Sequence, residues 1–207
     1  MEGQTECIRV RRSVRSFTSE PVSEEDIRGI MDAAVSAPSS KNRQPWLHRV
    51  YSGPIVSEAA DAMAGEIEAH LEEEADEDRA GDLRSALRTM EILRTVPVMV
   101  ATTYEDRRPY AGVLPAWREG LTDRELVDTL SIGMSLENMM LEAASRGLGT
   151  LCIGDHLYAT EALARVTGIE GRVVALIAIG HPSENRPRSS TRNPDFVEYH
   201  LSGRSSS

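Results

Sequence analysis

A chain of 207 residues with 40% hydrophobic and 27% charged side chains has the make-up of one globular domain, expected over residues 1–207, and buries roughly 70% of its unfolded surface. Its formal charge of −10 speaks against nucleic acid or an anionic membrane as partner, and two cysteines with five scattered histidines give neither a disulfide framework nor a metal site. No apolar leader and no run near the roughly 20 apolar residues of a membrane span are present, so a soluble cytoplasmic protein without metal is expected.

In chain order, the first feature is "RVRRSVRSF" at residues 9–17, with four arginines in seven positions. If extended, it alternates faces, with Arg11, Ser13 and Arg15 on one side and Arg12 and Val14 on the other. Guanidinium forks flanking a hydroxyl suit a phosphate. "PVSEEDIRGIMDAAVSAP" then reads as a capped helix. Ser23 is the N-cap, Asp26 stands at the capping-box position, and Ile27, Ile30, Met31, Ala34 and Val35 form the apolar face. Pro38 ends it.

"WLHRVYSGP" predicts a strand closed by a Gly-Pro turn. Residues 57–94 predict two helices, the first marked by Met63, Ile67 and Leu71 and the second by Leu83, Leu87, Met90 and Leu93. The acidic run "EEEADEDRAGD" between them reads as a solvated bend. "TVPVMVATT" is a buried strand. Residues 104–122 lack periodicity, and long segments of that kind tend to be lids or binding segments.

"RELVDTLSIGMSLENMMLEAASRGLGT" is the most apolar helix. Leu126, Leu130, Met134, Leu136, Met139, Met140, Leu141 and Ala144 cover most of its circumference, which places it at the centre or in a subunit interface. Gly147 stops it. "TLCIGD" is a short strand, a helix follows near 159–168, and "RVVALIAIG" is a core strand. "FVEYHL" in the polar tail could pair as one more. Interleaved helices and strands give an α/β or α+β class.

The other chemistry-bearing stretch is "APSSKNRQPW", residues 37–46. Pro38 and Pro45 fix its ends, and Ser39, Ser40, Lys41, Asn42 and Gln44 lie between them. Amides offer a donor and an acceptor side by side, as the edge of a heterocycle requires. On residues alone, a polar turn between helix and strand is the better reading.

"RRSVRSF", the helix ending "AAVSAPSSKNRQPW", "EAASRGLGTLCIGD" and "ALIAIGHPSENRPRSSTRNP" together resemble, in order, the signature segments of the nitroreductase-like family of FMN-dependent oxidoreductases. Residues 55–94 and 104–122 match only loosely. The resemblance implies an α+β fold with a central, mostly antiparallel sheet flanked by helices, and a C-terminal segment (186–207) exchanged with the partner subunit. It implies FMN as cofactor, with its phosphate held by Arg11, Ser13, Arg15 and Arg192. Arg188 would be a second tail contact, and Arg12 would lie near the ribityl chain or ring.

Pro38, Ser39, Ser40, Asn42 and Gln44 would line the flavin, and a backbone N–H around Ile153, Gly154 and Asp155 would face its N5. No side chain is assigned as catalytic. Lys41 or Arg43 would stabilise charge on the reduced ring, and Lys41, Tyr110 and Trp117 would meet substrate. Cys152 departs from the family pattern and is expected to be a small buried residue. The implied activity is hydride transfer from NAD(P)H through FMN to a nitroaromatic, quinone or similar small electrophile, ping-pong, in a homodimer with FMN at the interface. Alternatives are a flavin-fragmenting or dehalogenating relative on the same fold, or a non-catalytic flavin- or deazaflavin-binding protein.

Overall fold

Four runs of the chain are rich in β-branched and aromatic residues, and each forms a strand: β1 (Trp46–Ser52), β2 (Val98–Tyr104), β3 (Gly149–Ile153) and β4 (Val173–Gly180). The computed structural model of the protein describes residues 2–106 and 123–183. The strands form one sheet in the order β1-β2-β4-β3 with every pair antiparallel. Trp46 lies opposite Tyr104, Val98 opposite Ile179, and Gly149 opposite Gly180.

Helices cover both faces. α3 (Pro54–Glu73), α4 (Glu77–Leu93) and α6 (Thr160–Thr167) bury Met63, Ile67, Met90 and Leu163 against Met99 and Leu176. α2 (Glu24–Val35) and α5 (Asp123–Ser145) bury Ile30, Ala34, Leu136 and Met139 with Trp46, Val100 and Ile177. A sheet between two helical layers keeps both of its faces dry and leaves only edges and strand ends for chemistry. Among the described residues no helix is long and apolar enough to cross a membrane.

The start of α2 matches its sequence signature. Ser23 Oγ accepts from the Asp26 N–H at 3.0 Å and donates to Asp26 Oδ2 at 2.6 Å. The Asp26 carboxyl is held below its usual range by Ser23 first and Arg146 second. Other expectations change. Residues 2–10 form a helix, α1 (Glu2–Val10), so Arg9 is helical and only the chain from Arg11 onward is extended. The acidic run is nearly all helix: only 74–76 lie outside α3 and α4, with Asp76 capping α4. The Gly-Pro turn does close β1, with Gly53 at φ +76°, and Pro54 begins α3 directly. Val35, expected on the apolar face of α2, is exposed.

From Arg11 the chain runs along the outer edge of β3. Ser13 bridges Thr150 in parallel, the Val14 N–H donates to the Thr150 carbonyl at 2.9 Å, and Phe17 bridges Pro182. Gly149 makes this approach possible: a Cβ there would lie 2.7 Å from Val14 Cγ2. The segment covers a sheet edge that would otherwise present unpaired backbone groups.

Candidate functional site

Val14 is buried beneath Gly149, so alternation along the extended chain turns Ser13 and Arg15 outward, and both are exposed. Arg11 is half-buried and its Nε lies 3.3 Å from Glu137 Oε1 on α5. Arg12 turns the other way: its guanidinium donates to the Arg9 carbonyl and, at 2.8 Å, to that of Arg11, which caps the end of α1. A cavity of about 200 Å³ opens beside Arg11, Arg12 and Val14 against Gly147, Gly149 and Thr150.

Residues 39–45 form a tight turn with a strained backbone. Lys41, Asn42 and Gln44 all have φ near +50°, a region that costs a non-glycine residue about 1–3 kcal/mol. The surroundings hold them there. The Asn42 N–H donates to the Ser39 carbonyl at 3.0 Å, the Gln44 N–H to Ser39 Oγ at 3.0 Å, and Gln44 Nε2 to Asn42 Oδ1 at 2.8 Å. The Ser40 N–H points at Ser131 Oγ of α5, 3.4 Å away. Lys41, Asn42 and Gln44 present exposed side chains, and Pro38 is exposed with them.

Arg43 does the opposite. Only 5% exposed, its Nε and Nη2 reach both oxygens of Asp128 at 3.1 and 3.0 Å, and Nη2 also reaches Asp106 Oδ1 at 3.1 Å. The Asp128 hydrogen bonds, outweighing burial, hold the guanidinium above its usual pKa. Arg43, one of the two cations expected to stabilise charge on the reduced ring, is therefore buried as an anchor beneath the turn. The other cation considered for that role, Lys41, is exposed.

His48 continues the same inner face. Ser135 Oγ donates to the Ala34 carbonyl at 2.7 Å, so it accepts from His48 Nε2–H at 2.9 Å, which leaves Nδ1 to accept from Thr102 Oγ1 at 2.9 Å. Burial pushes this neutral imidazole down to about 4.

At the end of β3, Gly154 leads into a 3-10 turn, Asp155–Tyr158, with no side-chain cap, so its first N–H groups lack acceptors within the turn. A Cβ at Gly154 would meet nothing within 4 Å, leaving open space over the backbone expected to face a cofactor. Behind it, fully buried His156 sets its ring nitrogens 3.1 Å from the Ile153 carbonyl and 3.2 Å from that of Val173. Its pKa is lowered by burial against the pull of those carbonyls.

Cys152 is exposed rather than buried, on the outer strand. Desolvation and then the Glu137 carboxylate push its thiol upward, which disfavours the reactive thiolate. Arg188, Arg192, Tyr110, Trp117 and the possible strand "FVEYHL" lie outside the described residues. Among the described residues no cluster of three His, Cys, Asp or Glu could hold a metal.

The two expected site segments thus hang from one helix. Arg11 meets α5 at Glu137 and Ser40 meets it at Ser131, six residues or about 9 Å of helix apart. Sequence reading missed Asp128, Ser131, Ser135 and His48. A signal existed, since Asp128, Ser131, Ser135 and Asn138 recur at helical spacing inside an otherwise apolar segment.

An antiparallel sheet between two helical layers, edged by an arginine-rich strand and a strained amide-bearing turn, defines an α+β class of which many solved members exist. The model of the nitroreductase family matches residues 8–181, and the chain belongs to that family.

Nitroreductase NfnB of Mycolicibacterium smegmatis is 41% identical over 66 residues, 32% of this chain but only 27% of that protein. A crystal structure of FMN-dependent NfnB from Mycobacterium smegmatis with NADPH is 21% identical, with TM-score 0.67 and coverage of 93% and 98%. The 5,6-dimethylbenzimidazole synthase of Rhodospirillum rubrum is 28% identical over 184 residues, 86% of this chain and 81% of that protein. A BluB-like flavoprotein structure from Clostridium difficile is 26% identical, with TM-score 0.73 and coverage of 95% and 98%.

Proposed function

We propose that the protein is a homodimeric, FMN-dependent oxidoreductase that oxidises NADH or NADPH and reduces a nitroaromatic, quinone or similar electrophile by a ping-pong route. The observation that carries this is the strained 41–44 turn and the Arg11–Arg15 edge strand suspended from the same helix, with open backbone at Gly154. The residues fit the cofactor. Ser13 and Arg15 are exposed donors for its phosphate, with Arg11 beside them and Arg192 and Arg188 in the tail, and Arg12 closes the end of α1 nearby. Ser39, Ser40, Asn42, Gln44 and Pro38 would line the ring, and a backbone N–H around Ile153, Gly154 and Asp155 would face its N5.

Bound FMN would supply the two-electron chemistry, accepting hydride from the nicotinamide and passing it to the electrophile in alternating half-reactions. The chain contributes position and charge. Backbone donors at Gly154 and Asp155 orient the reacting edge, the Asn42 and Gln44 amides fix the polar edge, and the Lys41 ammonium favours negative charge there. Tyr110 and Trp117 are proposed to contact the electrophile. A second subunit would cover the outward face of α5 and the roughly 1020 Å³ groove beside Ile8, Val10 and Leu141.

Purified protein should be yellow, bleach when NADPH is added without oxygen, and recolour with a quinone; a colourless chain that takes up no added FMN would reject the proposal. Arg15→Ala should weaken FMN binding about 10- to 100-fold, the loss of a charge-assisted bond worth about 1.5–3 kcal/mol. The likeness to 5,6-dimethylbenzimidazole synthase along most of the chain supports a second reading, a flavin-fragmenting enzyme. Irreversible loss of flavin absorbance from the reduced protein on exposure to oxygen, in place of recolouring, would select it.

A further inference from the structure

Arg43 holds more than the turn in which it sits. Asp106 is the last described residue before 107–122, and Asp128 lies in the second turn of α5, just beyond that segment. One buried guanidinium joins both to the 41–44 turn, at 3.1 Å to Asp106 and at 3.0 and 3.1 Å to Asp128. The Tyr104 hydroxyl donates to Asp128 Oδ2 at 3.2 Å, and the Glu105 N–H donates to the Pro45 carbonyl at 3.1 Å. Three stretches far apart in sequence therefore share one anchor: the strained turn, the exit of β2 and the start of α5. Arginine suits the task because its planar fork fixes direction as well as charge, which lysine cannot do.

We propose that Arg43 is a positioning residue that couples the 41–44 turn to the exit of β2 and the start of α5, so that loosening this clamp weakens flavin binding at the turn. The coupling to flavin rests on the assignment of that turn to FMN, whereas the clamp itself does not. Neither Arg43 nor Asp106 needs to touch a ligand for this to operate.

The test uses the full chain with Arg43→Lys and Asp106→Asn. In flavin-free protein, hydrogen exchange should speed up by about tenfold or more at the amides of both 39–44 and 104–106 in Arg43→Lys, as expected when a charge-assisted bond is lost. Acceleration in one segment only, or in neither, overturns the coupling. With FMN, Arg43→Lys should raise the FMN Kd by about tenfold. It should also alter the visible circular dichroism of the bound flavin.

Asp106→Asn, at a half-exposed carboxylate, should move the same quantities in the same direction by less. An unchanged FMN Kd and an unchanged dichroism in both variants overturn the coupling to flavin. If Arg43→Lys fails to fold cooperatively, Asp106→Asn decides by the same readouts. If the wild-type chain takes up no FMN, the cofactor assignment falls, and the exchange measurement alone decides the clamp.

Discussion

α5 carries two stripes that depart from the usual amphipathic pattern, a polar one buried beside Ile132, Leu136 and Met139 and an apolar one exposed on the outside. Its inward face carries Asp128, Ser131 and Ser135, all buried, with Asn138 half-buried beside them. Its outward face carries Leu126, Leu130 and Met134, all exposed, with Leu130 at 62%. The two stripes lie about a third of a turn apart. Each inward polar group serves the chain between residues 33 and 48: Asp128 holds Arg43, Ser131 faces the Ser40 N–H, Ser135 meets His48 and Ala34, and Asn138 donates to the Ala33 carbonyl. A turn with three left-handed residues cannot satisfy and hold itself, so the helix beneath it supplies polar groups at a cost in burial. Among the described residues the outward leucines have no such task and call for a cover.

The comparison breaks most sharply at Asp128. Asp128→Ala removes the partner that meets Arg43 with two oxygens and leaves a guanidinium only 5% exposed with the single Asp106 oxygen of a half-exposed carboxylate. Losing one member of a buried ion pair costs about 3–5 kcal/mol, and urea unfolding should register a loss of that order. Asp128→Asn, which keeps the shape and one acceptor, should lose less. Equal and small effects from both would mean that the inner stripe is incidental.

Acid tests the same stripe at His48. Its imidazole titrates near 4 in the folded chain and near 6.5 when unfolded. Between those values only the unfolded chain takes up the proton. Its contribution is therefore complete above pH 6.5, declines as pH falls toward 4, and changes no further below that. The loss amounts to at most about 3 kcal/mol. His156, also pushed downward by burial, adds in the same direction. The difference in pH dependence between wild type and His48→Gln isolates the His48 share; parallel curves would remove it.

Local chemistry made much of this legible. The Ser23 cap, the strands at 98–104 and 173–180 and the arrest of α5 at Gly147 each follow from a few adjacent residues. The outward turn of Ser13 and Arg15 was legible too, because alternation about Val14 is a property of any extended chain. What stayed hidden depended on partners distant in sequence. Arg43 looked like one more polar residue of a turn until Asp106 and Asp128, 63 and 85 positions away, closed around it. α1 has a charged, weakly apolar sequence that gains its helix by lying on α5. Cys152 was expected to be a small buried residue, yet it sits on the outer strand between the inward Leu151 and Ile153 with its side chain turned out.

The outward stripe gives the smallest effect on the single chain and the clearest separation of the two faces. Leu130 is exposed and among the described residues buries little, so Leu130→Glu should alter monomer stability by under about 0.5 kcal/mol. If Leu126, Leu130 and Met134 meet a second copy, the same substitution places a carboxylate in an apolar contact on both sides of a twofold, where each charge is desolvated and faces its own kind. Sedimentation at micromolar concentration should then show wild-type dimers and Leu130→Glu monomers with near-equal melting of the single chain. Met134→Glu, one turn further along the stripe, should behave alike, whereas a charge on the inward face at Ser135 should unfold the chain before any change of assembly could be read. A wild-type protein that sediments as a monomer would leave the outward leucines without the cover proposed for them.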